Sequence, residues 1–344
     1  MLVDRLARAR LLEPPAMKLL VTGGAGYIGS IVAQQLLAGG HEVVVLDSLE
    51  RGHRAAVPDG ARLLEVDLRD AEAVADAVAE GFDGALHFAA YALVAESVAR
   101  PEIYYRNNVL GSLNLLDGLR AAGVQRLVFS STCAVYGEPE VVPMDEATPT
   151  RPVNSYGASK LAVDGMIADE CRAHGLGAVS LRYFNVAGAS GCLGEDHHPE
   201  THLIPNVLRA AQGLQDAVKI FGTDYPTPDG TAVRDYIHIE DLARAHVLAL
   251  EGTRPGEHRI FNLGSGDGYS VREVIEAVRT VTGLDVPAQE AGRRPGDPPR
   301  LVAANGKIRT ELGWAPTKSL TEMVADAWAF AQQRPHGYAG AGVH

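Results

Sequence analysis

The chain has 344 residues, 46% of them hydrophobic, and a formal net charge of -12: enough to bury a full core in one large or two modest domains. The acidic balance excludes nucleic acid as a partner, because duplex binding needs a basic face to displace counterions from phosphate, but it leaves room for a small anionic ligand gripped by a few converging arginines. Cys133, Cys171 and Cys192 are odd in number and lack paired metal-ligand spacing, and no apolar run approaches the ~20 residues of a membrane helix, so the expectation is reduced thiols, no metal, no membrane and a cytoplasmic location.

Residues 1–16 read as a short arginine-rich extension ending in Pro14-Pro15, with Met17 as the expected natural start. From there apolar runs alternate with helical periods: strand over 18–22, helix over 28–38, strands over 41–47 and 62–66, helix over 71–79 and strand over 84–89. A long amphipathic helix over 101–122 follows, then strand 126–131, helix 155–174 and strand 178–182. This βαβ order predicts an α/β fold, a doubly wound (Rossmann) parallel sheet over residues 17–186. Beyond it, helices near 204–213, 239–251, 271–282 and 320–333 are separated by loops rich in Gly, Pro, Asp and His, such as GASGCLGEDHHPETH at 188–202. Residues 187–344 are expected to form mainly a smaller mixed substrate-binding domain, with some segments returning to the first.

Between the first strand and helix lies VTGGAGYIG, residues 21–29. Gly23, Gly24, Gly26 and Gly29 lack side chains where backbone amides and a helix N-terminus can meet a pyrophosphate. Asp47 ends the second strand at the offset of a ribose-binding carboxylate and so selects NAD, while Arg51 and Arg54 keep an NADP reading open. Asp67 and Leu68, ending the third strand, would reach the adenine; a turn residue is the lesser alternative for Asp67.

The second signal is Tyr156-Gly-Ala-Ser-Lys160. The chain has 11 tyrosines and only five lysines, so chance supplies about 0.16 such spacings, and this is the only one. The i, i+4 spacing puts both side chains on one helix face. A phenol of pKa near 10 is no base at neutral pH, and the ammonium of Lys160 beside a cationic nicotinamide is expected to lower it. Thr132, in the strand-end string FSSTC at 129–133, would share the proton with a substrate alcohol; it could also simply bond backbone.

Together these motifs resemble the extended short-chain dehydrogenase/reductases. HFAAY at 87–91, RNNVLGSLNLL at 106–116, LRYFNVAGA at 181–189 and IFGTDYPTPDGTAVRDYIHIEDLA at 220–243 narrow the resemblance to the UDP-glucose (UDP-galactose) 4-epimerase family. It spans nearly the whole chain. It implies Thr132, Tyr156 and Lys160 as catalytic; Gly23, Gly26, Tyr27, Ile28, Gly29, Asp47, Asp67, Leu68, Phe88, Ala89, Asn107, Tyr156, Lys160 and Phe184 around NAD; and Thr132, Asn185, His202, Leu203, Phe221, Arg234, Arg294, Asp297 and Leu301 around a UDP-sugar. Arginines suit that role because a guanidinium forks onto phosphate oxygens, although Arg294 taken alone reads as a solvated surface residue. A homodimer paired through the helices at 101–122 and 155–174 is also implied.

Two departures stand out. Ala92 replaces a lysine that well-known bacterial relatives place near the nicotinamide, and Leu301 replaces a bulky tyrosine that closes the sugar pocket in some relatives, so N-acetylated UDP-hexoses are expected to fit as well. The implied reaction is reversible inversion at carbon 4 of a UDP-hexose through a 4-keto sugar. A UDP-pentose is an alternative substrate. A dehydratase needs an acidic pair after the strand-end threonine, where Cys133 and Ala134 stand instead. A non-catalytic NAD-sensing scaffold would have lost Tyr156 or Lys160.

Overall fold

The computed structural model describes residues 15–294 and 296–341; the arginine-rich extension lies almost wholly outside the described residues. Seven parallel strands form the central sheet: β1 (Lys18–Thr22), β2 (Glu42–Asp47), β3 (Arg62–Glu65), β4 (Gly84–His87), β5 (Arg126–Thr132), β6 (Gly177–Tyr183) and β7 (His258–Leu263), in spatial order β7-β6-β5-β4-β1-β2-β3. The order reverses between β1 and β4, so Thr22 and His87 mark the crevice where such sheets bind ligands.

Both faces of the sheet are covered, which is why the central strands are apolar at successive positions rather than alternately. Leu19 and Val21 of β1 pack with Ile31 and Leu36 of α1 (Tyr27–Ala38) and with Leu242 and Leu250 of α6 (Ile239–Glu251). Leu20, between them, points to the other face, where α2 (Ala71–Val78), the helical run α3 and α4 (Ser155–His174) supply Val74, Leu115, Val163 and Ile167. The run α3 consists of Pro101–Tyr104, a π-helical segment Tyr105–Leu110 and Gly111–Ala121. Such π segments are frequent at functional sites, and this one carries Asn107 and Asn108.

A smaller apolar cluster joins α5 (Leu203–Ala211), α7 (Val271–Thr282) and α8 (Leu320–Gln333) to paired strands Val218–Phe221 and Ala288–Ala291, through Ile204, Val207, Ile220, Val274, Val278 and Met323. Capping boxes start α7 at Ser270 and Glu273 and α8 at Ser319 and Glu322, each satisfying two helix N-terminal amides. The later half also returns α6 and β7 to the first layer.

Candidate active site

The glycine turn is shaped for close backbone approach. Gly23 has φ +71°, and a Cβ there would stand 2.5 Å from the Ala89 amide nitrogen, while one on Gly29 would stand 2.2 Å from the Gly23 carbonyl. The N-terminus of α1 has no side-chain cap and no acidic residue in its first turn, which leaves its amides and dipole available to an anion. This cradle fits the pyrophosphate of NAD. Tyr27 and Ile28 open the helix; the Tyr27 hydroxyl donates to the Gly188 carbonyl at 2.6 Å, so its side chain ties the turn to the second half of the chain.

Asp47 is buried, and its two oxygens accept from the amides of Ala25 (3.0 Å) and Leu49 (2.9 Å). Burial raises its pKa while those amides oppose the rise. Arg51 is held by Glu96 and lies over the Tyr91 ring at 3.8 Å, and Arg54 pairs with Glu65. Neither arginine that kept an NADP reading open stands uncommitted. The Asp67 side chain accepts from the Arg69 amide at 2.8 Å and from its guanidinium, as a turn residue does, and Leu68 is buried beside it. Phe88 and Ala89 follow β4 directly above the glycine turn, with the Phe88 ring 4.8 Å from that of His246. Asn107 donates to Asn108 at 3.1 Å. Ala92 is exposed.

The Asn154 side chain caps α4 by accepting from the Gly157 amide at 2.8 Å. That helix start rests on the turn after β5, which brings Tyr156 towards the end of the strand, where the Thr132 side chain favours the phenolate. Thr132 also accepts from the Ala134 amide at 3.1 Å, the backbone bond of its alternative reading. Lys160 is buried, with Nζ donating to the Ser130 carbonyl at 2.7 Å and lying 4.8 Å from the Phe129 ring centroid.

Burial pushes the Tyr156 phenol up to about 12, together with the neighbouring Cys133 thiol and against the pull of Thr132. The Lys160 ammonium is aimed at the Ser130 carbonyl, and burial lowers its own pKa to about 7, with Asp164 opposing.

Three buried residues that sequence reasoning passed over hold this arrangement. Asn108 accepts from the Tyr91 amide (2.8 Å) and donates to the Tyr91 carbonyl and to Ser159 Oγ (both 3.0 Å), locking the π segment against the catalytic helix. Asp164, one turn beyond Lys160, accepts from Arg182 at 2.8 Å and from Ser131 at 3.2 Å, with both charged side chains 4% exposed. Its i+4 spacing from Lys160 was a readable signal. His87, between Thr22 (2.6 Å) and Ser112 (2.8 Å), is driven down to about 3 by burial and by Lys160, and so stays neutral.

On the sugar side, Arg234 pairs with Asp297 and donates to the Val233 carbonyl at 2.7 Å, and Leu301 lies opposite Arg234 in the strand register. Leu301 and Cys133 flank an apolar cluster containing Val135, Tyr136 and Phe184. Asn185 donates to the Asp235 carbonyl at 2.9 Å, and the guanidinium of the exposed Arg294 lies over the Phe221 ring, 3.8 Å from its centroid, in cation–π contact. Thr132, Tyr156, Phe184, Arg234, Asp297 and Leu301 thus gather around one end of the sheet. The His202 Nδ1 lies 2.7 Å from Glu195 and 3.0 Å from Glu200. Leu203 opens α5 and packs on the smaller cluster.

A parallel sheet with a glycine cradle at its switch point and a Thr-Tyr-Lys set after β5 defines a dinucleotide-dependent enzyme of the short-chain dehydrogenase/reductase type. Residues 19–264 match the NAD dependent epimerase/dehydratase family, and the chain belongs to that family. It is 57% identical to the UDP-glucose 4-epimerase of Corynebacterium glutamicum over 316 residues, covering 91% of this chain and 95% of that one. It is also 57% identical to the UDP-glucose 4-epimerase of Streptomyces lividans, over 93% of this chain and 98% of the relative. The crystal structure of UDP-glucose 4-epimerase from Brucella ovis in complex with NAD superposes with a TM-score of 0.87 at 43% identity, covering 92% and 98% of the two chains.

Proposed function

We propose that Tyr156 moves the proton of the substrate's 4-hydroxyl, with Thr132 sharing it and Lys160 supplying positive charge beneath the site. The activity is NAD-dependent, reversible epimerisation at carbon 4 of a UDP-hexose, between UDP-galactose and UDP-glucose. NAD, when bound, supplies the acceptor and donor of hydride at that carbon. Gly23 to Gly29, Asp47 and the backbone at Leu68 and Ala89 would hold it.

The residues' work follows from their placement. The phenol must ionise before it can accept a proton, and burial alone opposes that. Thr132 lowers the cost, and a cationic nicotinamide ring nearby would lower it further. The phenolate takes the 4-hydroxyl proton, and the phenol returns it to the 4-keto sugar once the sugar has presented its other face. Arg234, held by Asp297, and Arg294, stacked on Phe221, are the groups proposed to grip the diphosphate while the hexose turns.

The observation that carries this reading is the pairing of Tyr156 with Thr132 at a strand end that is followed by Cys133 and Ala134 rather than by an acidic pair. Incubating the protein with UDP-galactose tests it. Formation of UDP-glucose without a steady rise in NADH absorbance is the expected outcome; accumulation of a 4-keto-6-deoxy sugar or of NADH would refute it. A second reading rests on Leu301: a side chain smaller than tyrosine at the pocket wall favours UDP-N-acetylhexosamines as further substrates, and no turnover of UDP-N-acetylgalactosamine would end it. Four exposed apolar residues, Val98, Tyr105, Leu110 and Leu113, lie on or next to α3, which supports a homodimer through that face. Three free cysteines and the lack of any described helix able to cross a membrane fit a cytoplasmic location.

A further inference from the structure

The loop before α5 gathers an unexpected set of side chains. One ligating atom from each of Glu195, His197, Glu200 and His202 lies within 4.8 Å of all the others. Glu195 Oε1 is 2.7 Å from His202 Nδ1 and 3.1 Å from His197 Nδ1, Glu200 Oε1 is 3.0 Å from His202 Nδ1, and Glu200 Oε2 is 4.0 Å from His197 Nδ1. With metal–ligand bonds of about 2.0–2.1 Å, the edges of a tetrahedron measure about 3.3–3.4 Å, and these separations fall on either side of that value.

We propose that Glu195, His197, Glu200 and His202 form a structural site for a zinc-class divalent cation. Two imidazole nitrogens and two carboxylates suit such an ion, whereas calcium and magnesium take oxygen ligands in greater number. With both imidazoles deprotonated for metal binding the set carries charge -2, which a divalent cation balances; the two glutamate side chains are 8% exposed and the histidines 36% and 43%. Four protein ligands close the coordination shell, so the ion holds structure rather than activating water.

The backbone is already held at points the ligands do not use. Asp196 accepts from the Tyr338 amide at 2.8 Å, its carbonyl lies 3.0 Å from His53 Nε2, and the Gly194 amide donates to the Tyr338 hydroxyl at 3.0 Å. Glu195, His197 and Glu200 line one wall of a cavity of about 110 Å³ between α5 and α8, which supplies an entry path. The His197 ring stands edge-on to Tyr27 with centroids 6.5 Å apart, so a bound cation would brace the loop against the turn that begins α1.

The full chain, stripped with EDTA and titrated calorimetrically with zinc chloride alone, tests the proposal. One zinc per chain, retained on desalting and raising the melting temperature, is expected. Glu195→Gln and His197→Asn should each weaken binding by about 100-fold or more, while His198→Asn, at an exposed position outside the cluster, binds as the parent does. No stoichiometric binding, or equal binding by all three variants, overturns the proposal. Should a ligand variant fail to fold, the cobalt(II) form of the parent chain decides: intense visible absorption of a four-coordinate site supports it, and the weak spectrum of a six-coordinate ion refutes it.

Discussion

Gly157 presses against the carbonyl of Ala134: a Cβ at residue 157 would stand 2.4 Å from that oxygen. The contact lets the first turn of α4 settle on the turn after β5, and that docking brings the Tyr156 phenol to the Thr132 hydroxyl. The glycine is needed for space, since its amide serves only the Asn154 cap.

Gly157→Ala should therefore push the helix start away from the strand end. Displacing catalytic groups by about 1 Å costs on the order of 10²-fold in rate, so kcat should fall by about that factor while NAD content, read from the absorbance of the purified protein, stays near the parent value. A variant with unchanged kcat would show that the Tyr156–Thr132 approach does not set the rate.

Asp164→Asn should be strongly destabilising. The change leaves the Arg182 guanidinium, 4% exposed, without its carboxylate, and breaking a buried pair by removing one partner costs about 3–5 kcal/mol. Chemical denaturation measures this, and replacing both partners by apolar residues should cost less. Asp164 also opposes the burial that lowers Lys160. Its loss lowers the lysine further, so the alkaline limb of the kcat profile should move to lower pH, a displacement that a purely structural role for Asp164 would not produce.

Lys160 itself carries a stability cost with a definite pH dependence. Its folded pKa of about 7 lies below the roughly 10.4 of an unfolded lysine. Below pH 7 the ammonium is buried in full and the cost is complete. Between those values the folded state has shed a proton that the unfolded chain keeps, so the cost shrinks as pH rises and is gone above the unfolded value. Lys160→Met should accordingly be more stable than the parent by a few kcal/mol at pH 6, with the difference closing towards pH 10.5, and should be nearly inactive. Equal melting curves at pH 6 would contradict the buried charge.

What could be read in advance follows from which forces are local. Helix α4 was legible to the residue because its ends carry their own signals: Asn154 bonds its first turn, and Gly175 takes φ +77° to close it. The glycine cradle was legible for the same reason. Strand His258–Leu263 was not, because its short apolar alternation between charged loops gains meaning only when β6 pairs with it. The spacing of Tyr156 and Lys160 places both on one helix face, but the Ser130 carbonyl decides where the ammonium goes, and that partner belongs to a strand 30 residues away. His202 is placed by the family resemblance alone, and the two glutamates beside its Nδ1 could not be read from that resemblance. Side-chain direction is set by tertiary partners, and that is where sequence reasoning stopped.

The proposed chemistry rests on a phenol that gives and takes the proton of the sugar's 4-hydroxyl, and Tyr156→Phe removes the phenolic hydroxyl while leaving the ring in place. Measured as turnover of UDP-galactose by protein shown to contain NAD, kcat should fall by about 10²–10⁴-fold with UDP-sugar affinity nearly unchanged. Parent-like turnover by Tyr156→Phe would contradict it.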